Sequence, residues 1–333
     1  EAMEQASKVE VIPPSLQEIE AAQEAIKDLV YFTPTLEWVG PGKEALLGKE
    51  TEVHIKLELL QHAGSFKPRG ALLNMFALTP KQLTKGVTAV SAGNHAIAVG
   101  YAAQVLGTSA KVVMPKSANA FRVNRCKALG AEVVLVQNVT EAFEEVERIQ
   151  AAVGRTFIHP FEGKLTATGT GTLGLEFAKQ VPDLDTMIIP IGGGGLAAGM
   201  AAAFSYIQPE CKLYGVEPTG ADTMYRSFES GHTEKIDAVR TIADSLGAPF
   251  SMPYSMALCQ KYLEKVVLVE DHQLRSAMRI MFVEMKLAAE PAGAASLAAL
   301  LGPLKEELQG KKVGLIACGS NIDVDAYFGF LQR

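Results

Sequence analysis

The sequence predicts an α/β protein built on largely parallel sheets flanked by helices. Two observations carry this. Short β-rich runs alternate with helical runs along nearly the whole chain, and several of the β-rich runs are almost entirely apolar, as strands covered on both faces are. A third observation concerns size. With 333 residues, 48% of them hydrophobic, the chain can bury a sizeable core, and nine candidate strands are too many for one small sheet, so two packed α/β domains are expected.

The elements follow in order. Ser15-Leu16-Gln17-Glu18 has the S-x-x-E form of a capping box, and Ile19, Ala22, Ile26 and Val30 recur behind it at helical spacing, so a helix starts there. Strands are predicted over residues 53–59, 87–91, 111–114, 132–136, 156–159, 187–191, 213–217, 266–269 and 313–317. Helices are predicted over 94–106, 121–129, 140–153, 173–180, 196–207 and 272–288. No internal repeat, low-complexity tract or long linker interrupts them.

Composition excludes several roles. Net charge is -6, from 31 basic and 37 acidic residues, with no basic run, so neither nucleic acid nor an anionic membrane is an expected partner. Residues 1–20 are polar and acidic and do not form a secretory signal. No apolar run approaches the ~20 residues of a membrane span. The richest stretch, residues 187–204, is broken by five glycines. The four cysteines, Cys126, Cys211, Cys259 and Cys318, lie far apart, which argues against a disulfide framework or a zinc site and for a reducing cytoplasm.

In open α/β sheets, ligands bind beyond the carboxyl ends of the strands, so the residues just after each strand are the candidates. Gly192-Gly193-Gly194-Gly195-Leu196 follows one strand and opens a helix. Inward-turned N–H groups at a helix N-terminus suit a phosphate, and four consecutive glycines exceed what a tight turn needs. Gly192, Gly194 and Ala197 also match a dinucleotide fingerprint, with Glu217 about twenty residues later as a ribose-binding acid, so a nicotinamide-dependent dehydrogenase is a competing reading. It leaves Lys67 and Asn94 without a role.

Lys67 sits in Ser65-Phe66-Lys67-Pro68-Arg69-Gly70, ahead of an apolar helix start. Such surroundings lower a lysine pKa and suit Schiff-base and general-base work, although most loop lysines are merely exposed. Ser91-Ala92-Gly93-Asn94-His95 follows another strand and begins a helix whose N-terminus could hold a carboxylate, while simple capping is the plainer explanation. Ala317-Cys318-Gly319-Ser320-Asn321 follows the last strand, where Cys318 could equally be a small apolar residue.

Together S-F-K-x-R-G, S-x-G-N-H, G-G-G-G-L and C-G-S-N, in this order over residues 15–323, resemble the tryptophan-synthase-like (fold type II) pyridoxal-phosphate enzymes, and most nearly their serine/threonine dehydratase and serine racemase branch. Thr33-Pro34-Thr35-Leu36, Thr241-Ile242-Ala243-Asp244 and Glu290-Pro291-Ala292-Gly293-Ala294 support it. The resemblance implies a two-domain fold with the active site between domains: a large cofactor-binding domain of residues 1–84 and 164–333, and a small domain of residues 85–163. It implies that Lys67 carries pyridoxal 5'-phosphate covalently and acts as the base, that Phe66 packs on the cofactor ring, and that Asn94 bonds its phenolic oxygen. Gly192, Gly193, Gly194, Gly195 and Leu196 would cradle the phosphate, Cys318 would face the pyridine nitrogen, and Ser91, Ala92, Gly93, Asn94 and His95 would receive the substrate.

The implied activity is α,β-elimination from L-threonine or L-serine to a 2-oxo acid and ammonia. A threo-3-hydroxyaspartate dehydratase and a serine racemase are the alternatives. Racemases of this branch carry a Ser where this chain has Ala92, which disfavours the second. Relatives that bind Mg or Ca use an acid, a carbonyl and an Asp. Here Glu217 and Ala221 match but the last position is Thr223, so the resemblance implies a divalent cation only weakly. It also implies a homodimer. The chain stops soon after its last strand, so the regulatory domain of feedback-controlled threonine dehydratases is not expected.

Overall fold

The computed structural model describes residues 11–332. The first half of the polar 1–20 stretch lies outside them. Ten strands form two sheets: β1 Thr35–Glu37, β2 Glu52–Lys56, β3 Val87–Val90, β4 Ala110–Pro115, β5 Glu132–Val136, β6 Thr156–Phe157, β7 Thr186–Pro190, β8 Lys212–Pro218, β9 Leu263–Val269 and β10 Lys312–Ile316. The larger sheet has the order β1-β2-β10-β7-β8-β9, and the smaller β5-β4-β3-β6. Every pairing is parallel except β1 with β2. The smaller sheet is drawn wholly from residues 87–157, while the larger takes strands from both ends of the chain.

The predicted capping box is present. Ser15 Oγ accepts from the Glu18 amide at 3.0 Å, and the Glu18 carboxylate accepts from the Ser15 amide at 3.1 Å, opening the helix Leu16–Ile26. The helix Asn94–Leu106 has the predicted bounds and ends on Gly107 in the left-handed region. Separate hydrophobic cores pack under the two sheets, one around Leu173, Phe177, Ile188 and Leu315, the other around Leu72, Ala89, Ile97 and Val112.

Three segments differ from the sequence-based expectation. The strand expected over 53–59 ends at Lys56 and passes into a 3-10 turn, Glu58–Leu60, because the Glu58 carboxylate turns into the interior toward Arg69. The strand expected over 156–159 stops at Phe157, and His159 turns to accept amide protons of the following loop. The helix expected from residue 173 starts at Lys164. Its first turns hold Thr166, Thr168, Thr170, Thr172 and two glycines, all poor helix formers. Tertiary packing overrides that preference. A Cβ on Gly199 would lie 1.9 Å from Thr170 Oγ1, and one on Gly174 would lie 2.8 Å from the Met200 Cα, so the helices Lys164–Gln180 and Gly195–Ile207 approach almost backbone to backbone. Among the described residues no helix is long and apolar enough to cross a membrane.

Candidate active site

Four parallel strands deliver their following loops to one cavity. Phe66 and Lys67 come after β2, Asn94 and His95 after β3, Gly192 to Leu196 after β7, and Cys318 after β10, and all line it. Ser91, Ala92 and Gly93 adjoin it directly before Asn94. Ser91 Oγ accepts from the Gly93 amide at 3.0 Å, which holds the turn that presents Asn94.

Lys67 is the first residue of the helix Lys67–Phe76, with Pro68 behind it. An antiparallel bridge between Ser65 and Gly319 pins the turn before it beside Cys318. Lys67 Nζ lies 5.4 Å from the centroid of the Phe66 ring and donates to the Pro160 carbonyl at 2.6 Å. Burial lowers its pKa from the ordinary 10.5 to about 8, with Cys318 pulling weakly the other way. A substantial share of the amine is therefore neutral near physiological pH, as a nucleophile or base must be.

The other titratable groups on the wall are held uncharged. His95 Nε2 lies 2.8 Å from the Ile158 carbonyl, and burial, helped by Lys67, lowers its pKa to about 3. His159 Nδ1 accepts the amides of Phe161 and Glu162 at 3.2 and 3.0 Å, and burial lowers its pKa to about 4. Burial pushes the Cys318 thiol up, and Sγ donates to the Ala292 carbonyl at 3.4 Å. Lys67 is then the one cation on the cavity wall among the described residues.

The glycine loop has room only because it has no side chains. A Cβ on Gly193 would lie 2.0 Å from the Phe161 ring, and one on Gly195 2.6 Å from the Phe161 carbonyl. Gly194 takes φ +98, in the left-handed region. The first amides of the helix Gly195–Ile207 have no intrahelical acceptor and open on this loop, a donor set that matches a phosphate. A reactive lysine, an aromatic ring beside it, an amide side chain and an anion cradle in one cavity fit pyridoxal phosphate. They do not fit a nicotinamide dinucleotide, which has no use for Lys67.

The distant acid, Glu217, is fully buried and faces away from that task. Its Oε2 accepts the Met224 amide at 3.0 Å and its Oε1 the Tyr225 amide at 2.7 Å, capping the helix Thr223–Ser230. Asp222 pairs with Arg226 instead, and Thr223 Oγ1 is buried without a partner. Ala221 is buried at the same turn, its amide bonded to the Pro218 carbonyl. Of the three candidate ligands only Glu217 carries a charged oxygen, and Thr223 stands where a second carboxylate would be needed, so the set is a poor match to Mg or Ca.

A sequence model of the family described as "Pyridoxal-phosphate dependent enzyme" matches residues 26–319. The chain belongs to this family. A phenylserine dehydratase of Ralstonia pickettii is 48% identical over 94% of this chain and 95% of that protein. An L-threonine ammonia-lyase of Thermotoga maritima is 36% identical, covering 93% and 76%. Maize serine racemase superposes with a TM-score of 0.89 at 35% identity, covering 96% of this chain and 97% of that one. Family membership makes pyridoxal phosphate the cofactor.

Several residues at the site carried no signal in the sequence. Phe161, Pro160 and His159 reach the cavity from the loop after β6, where the sequence suggested only a longer strand. Glu162 fixes that loop, accepting the amides of Tyr254 and Ser255 at 2.8 and 2.9 Å at the start of the helix Pro253–Tyr262. Ser245 and Arg122 come from the 3-10 turn Asp244–Leu246 and from the helix Ala120–Ala128. Asn94 differs from expectation in one respect: its amide is already bonded within the protein. Nδ2 donates to Ser245 Oγ and to Glu290 Oε1, each at 3.1 Å, and Oδ1 accepts from Asn321 Nδ2 at 2.7 Å.

Proposed function

We propose that this chain is an ammonia-lyase acting on a β-hydroxy amino acid of the L-threonine or L-serine type. It removes the hydroxyl as water, and the product then hydrolyses to a 2-oxo acid and ammonia. The observation that carries this reading is the convergence of Lys67, Asn94, the glycine loop and Cys318 on one cavity, in a chain whose relatives include dehydratases and ammonia-lyases.

When bound, pyridoxal phosphate supplies the electron sink that lets a substrate α-proton leave. Lys67 would hold that group, and its Nζ is the atom that would take the substrate α-proton. Its lowered pKa keeps the amine basic while leaving a share of it neutral near physiological pH. Gly192, Gly193, Gly194, Gly195 and Leu196 would hold the phosphate through backbone amides. Asn94 would face the ring oxygen and Phe66 would pack on the ring. The protonated Cys318 thiol would offer the ring nitrogen a partner without charge, which would favour prompt elimination over amino transfer. Ser91, Ala92, Gly93 and His95 shape the substrate end. Ala92 has no proton to deliver to the opposite face of the α-carbon, which supports elimination over racemisation.

The cavity wall favours an apolar or aromatic β-substituent. Phe66, Ala71, His159, Pro160, Phe161 and Leu246 line it, its histidines His95 and His159 are neutral, and among the described residues no arginine lines it. The 48% identity to a phenylserine dehydratase supports the same preference. We assign no cation to Glu217, Ala221 and Thr223. We also assign residues 85–163 as a small domain and a homodimer in the cytoplasm. Exposed Phe282, Val283, Val324 and Phe328 on adjoining helices support the dimer, and four free, buried cysteines support the compartment.

The test is incubation of the loaded enzyme separately with L-serine, L-threonine, phenylserine and threo-3-hydroxyaspartate, with Lys67→Ala alongside, assaying 2-oxo acid and ammonia. Equal amounts of both from a neutral substrate, lost in the variant, are expected. No product from any of the four overturns the lyase reading.

A further inference from the structure

The amide of Asn94 cannot turn over. Its oxygen faces a donor, Asn321 Nδ2, and its nitrogen faces a carboxylate, Glu290, so only one orientation satisfies both ends. What holds Glu290 therefore holds Asn94. Glu290 is 1% exposed and accepts the Asn321 amide at 2.9 Å as well as the Ser245 hydroxyl. A carboxylate this deeply buried needs a counter-charge.

Arg122 supplies it. The residue is 3% exposed, and its Nη2 lies 3.5 Å from Glu290 Oε1. The guanidinium makes three further contacts. Nε donates to the Asn321 carbonyl at 3.0 Å, Nη1 to Asp244 Oδ2 at 2.7 Å, and Nη2 to Ser245 Oγ at 3.3 Å. Asn321, Glu290 and Ser245, the three groups that bond the Asn94 amide, are thus the groups Arg122 touches. Arg122 itself does not line the cavity. The space for it is prepared at Gly93, where a Cβ would lie 2.6 Å from both its Cδ and its Nη1. Gly93 directly precedes Asn94, so the glycine of the S-x-G-N-H segment makes room for the arginine as well as for a turn.

We propose that Arg122 is a positioning residue, which fixes the Asn94 amide for the cofactor through Glu290, Ser245 and Asn321. The inference rests on the reading of Asn94 as a cofactor ligand. It also makes the helix Ala120–Ala128 part of the active site, because Arg122 carries its charge across to residues 244–245, 290 and 321. The planar fork matters, since a lysine could reach only part of this set.

The test compares Arg122→Gln, Arg122→Lys, the double variant Arg122→Gln/Glu290→Gln, and Asn94→Ala. Cofactor affinity by titration, the position of the visible absorbance band, and thermal stability are read for each. Asn94→Ala is expected to displace the band and weaken loading. Arg122→Gln and Arg122→Lys are expected to displace the band in the same sense and weaken loading on the order of tenfold, the typical loss for a bond to a charged group. Arg122→Gln leaves a buried carboxylate unpaired and can fail to fold. The double variant removes both charges, so it is expected to recover thermal stability while its band stays displaced. A double variant with wild-type stability, band and affinity overturns the inference and leaves Arg122 a purely structural counter-ion. An Asn94→Ala band identical to wild type overturns the reading of Asn94 instead, and the inference with it.

Discussion

Lys67 Nζ and the carbonyl oxygen of Pro160 lie 2.6 Å apart although the two residues are 93 positions apart in sequence. The contact seats the amine against the loop that also covers the glycine cradle. Burial in that position lowers the Lys67 pKa to about 8. Cofactor loading needs the neutral amine, whose fraction rises with pH through the pKa. The loading rate of the apoprotein should therefore climb and level off above about pH 8. Rates of appearance of the visible band, measured between roughly pH 6 and pH 10, check this. A midpoint near the ordinary lysine value of 10.5 would mean that the amine is solvated.

Gly193 faces the Phe161 ring at a distance that admits no side chain. Gly193→Ala should push the ring off the loop and weaken cofactor binding at least tenfold, about 1.4 kcal/mol. Adding Phe161→Ala to that variant clears the collision and should return part of the affinity. If the single substitution binds normally, the loop is more pliant than this packing implies.

The strand-end residues were legible in the sequence because one-dimensional signals mark them. An apolar run followed by glycines, small polar residues or a lysine before an apolar helix start locates Lys67, Asn94, Gly192 to Gly195 and Cys318. The element types were legible for the same reason, since periodicity and caps are local. Arg122 was not, because an arginine in the first turn of an amphipathic helix looks like any solvated one. Only the fold brings Asp244, Ser245, Glu290 and Asn321 around it. Phe161 was hidden behind a strand that ends two residues early. The helix Lys164–Gln180 was half missed because its threonine and glycine content speaks against helix, while its value lies in close packing on Gly195–Ile207.

Glu217 links stability to pH. Burial raises its pKa from 4.5 to about 8, and the amides of Tyr225 and Met224 only partly oppose this. The folded state binds the proton more tightly than the unfolded one, so the contribution is fully present below about pH 4.5 and is lost as pH rises to about 8. Glu217→Gln is neutral throughout. Wild type should lose at least about 1 kcal/mol more stability than this variant between pH 5 and pH 8. Denaturant titrations of both at the two pH values check it. Adding Mg or Ca should leave the wild-type midpoint where it was, since Thr223 stands where a second charged ligand would be needed.

Arg69 anchors the helix that begins with Lys67. It is fully buried, with Nε and Nη2 on the two oxygens of Glu58 at 2.6 and 3.2 Å, and Nη1 and Nη2 on those of Glu176 at 2.5 and 3.1 Å. Lys56 Nζ, also buried, completes the cluster at 2.9 Å from Glu176. Two cations thus balance two anions. Arg69→Met would leave two buried carboxylates to one lysine, and removing one partner of such a pair costs about 3–5 kcal/mol. Arg69→Lys keeps the charge but cannot serve two carboxylates in a forked geometry, so it should fall between wild type and Arg69→Met. Denaturant midpoints of the three proteins check the order. The same variants should loosen the first turn of the helix and with it the seat of Lys67, so the pH midpoint of cofactor loading should move from about 8 toward the ordinary lysine value as stability falls. Stability loss without that movement would separate the anchor of the helix from the environment of its first residue.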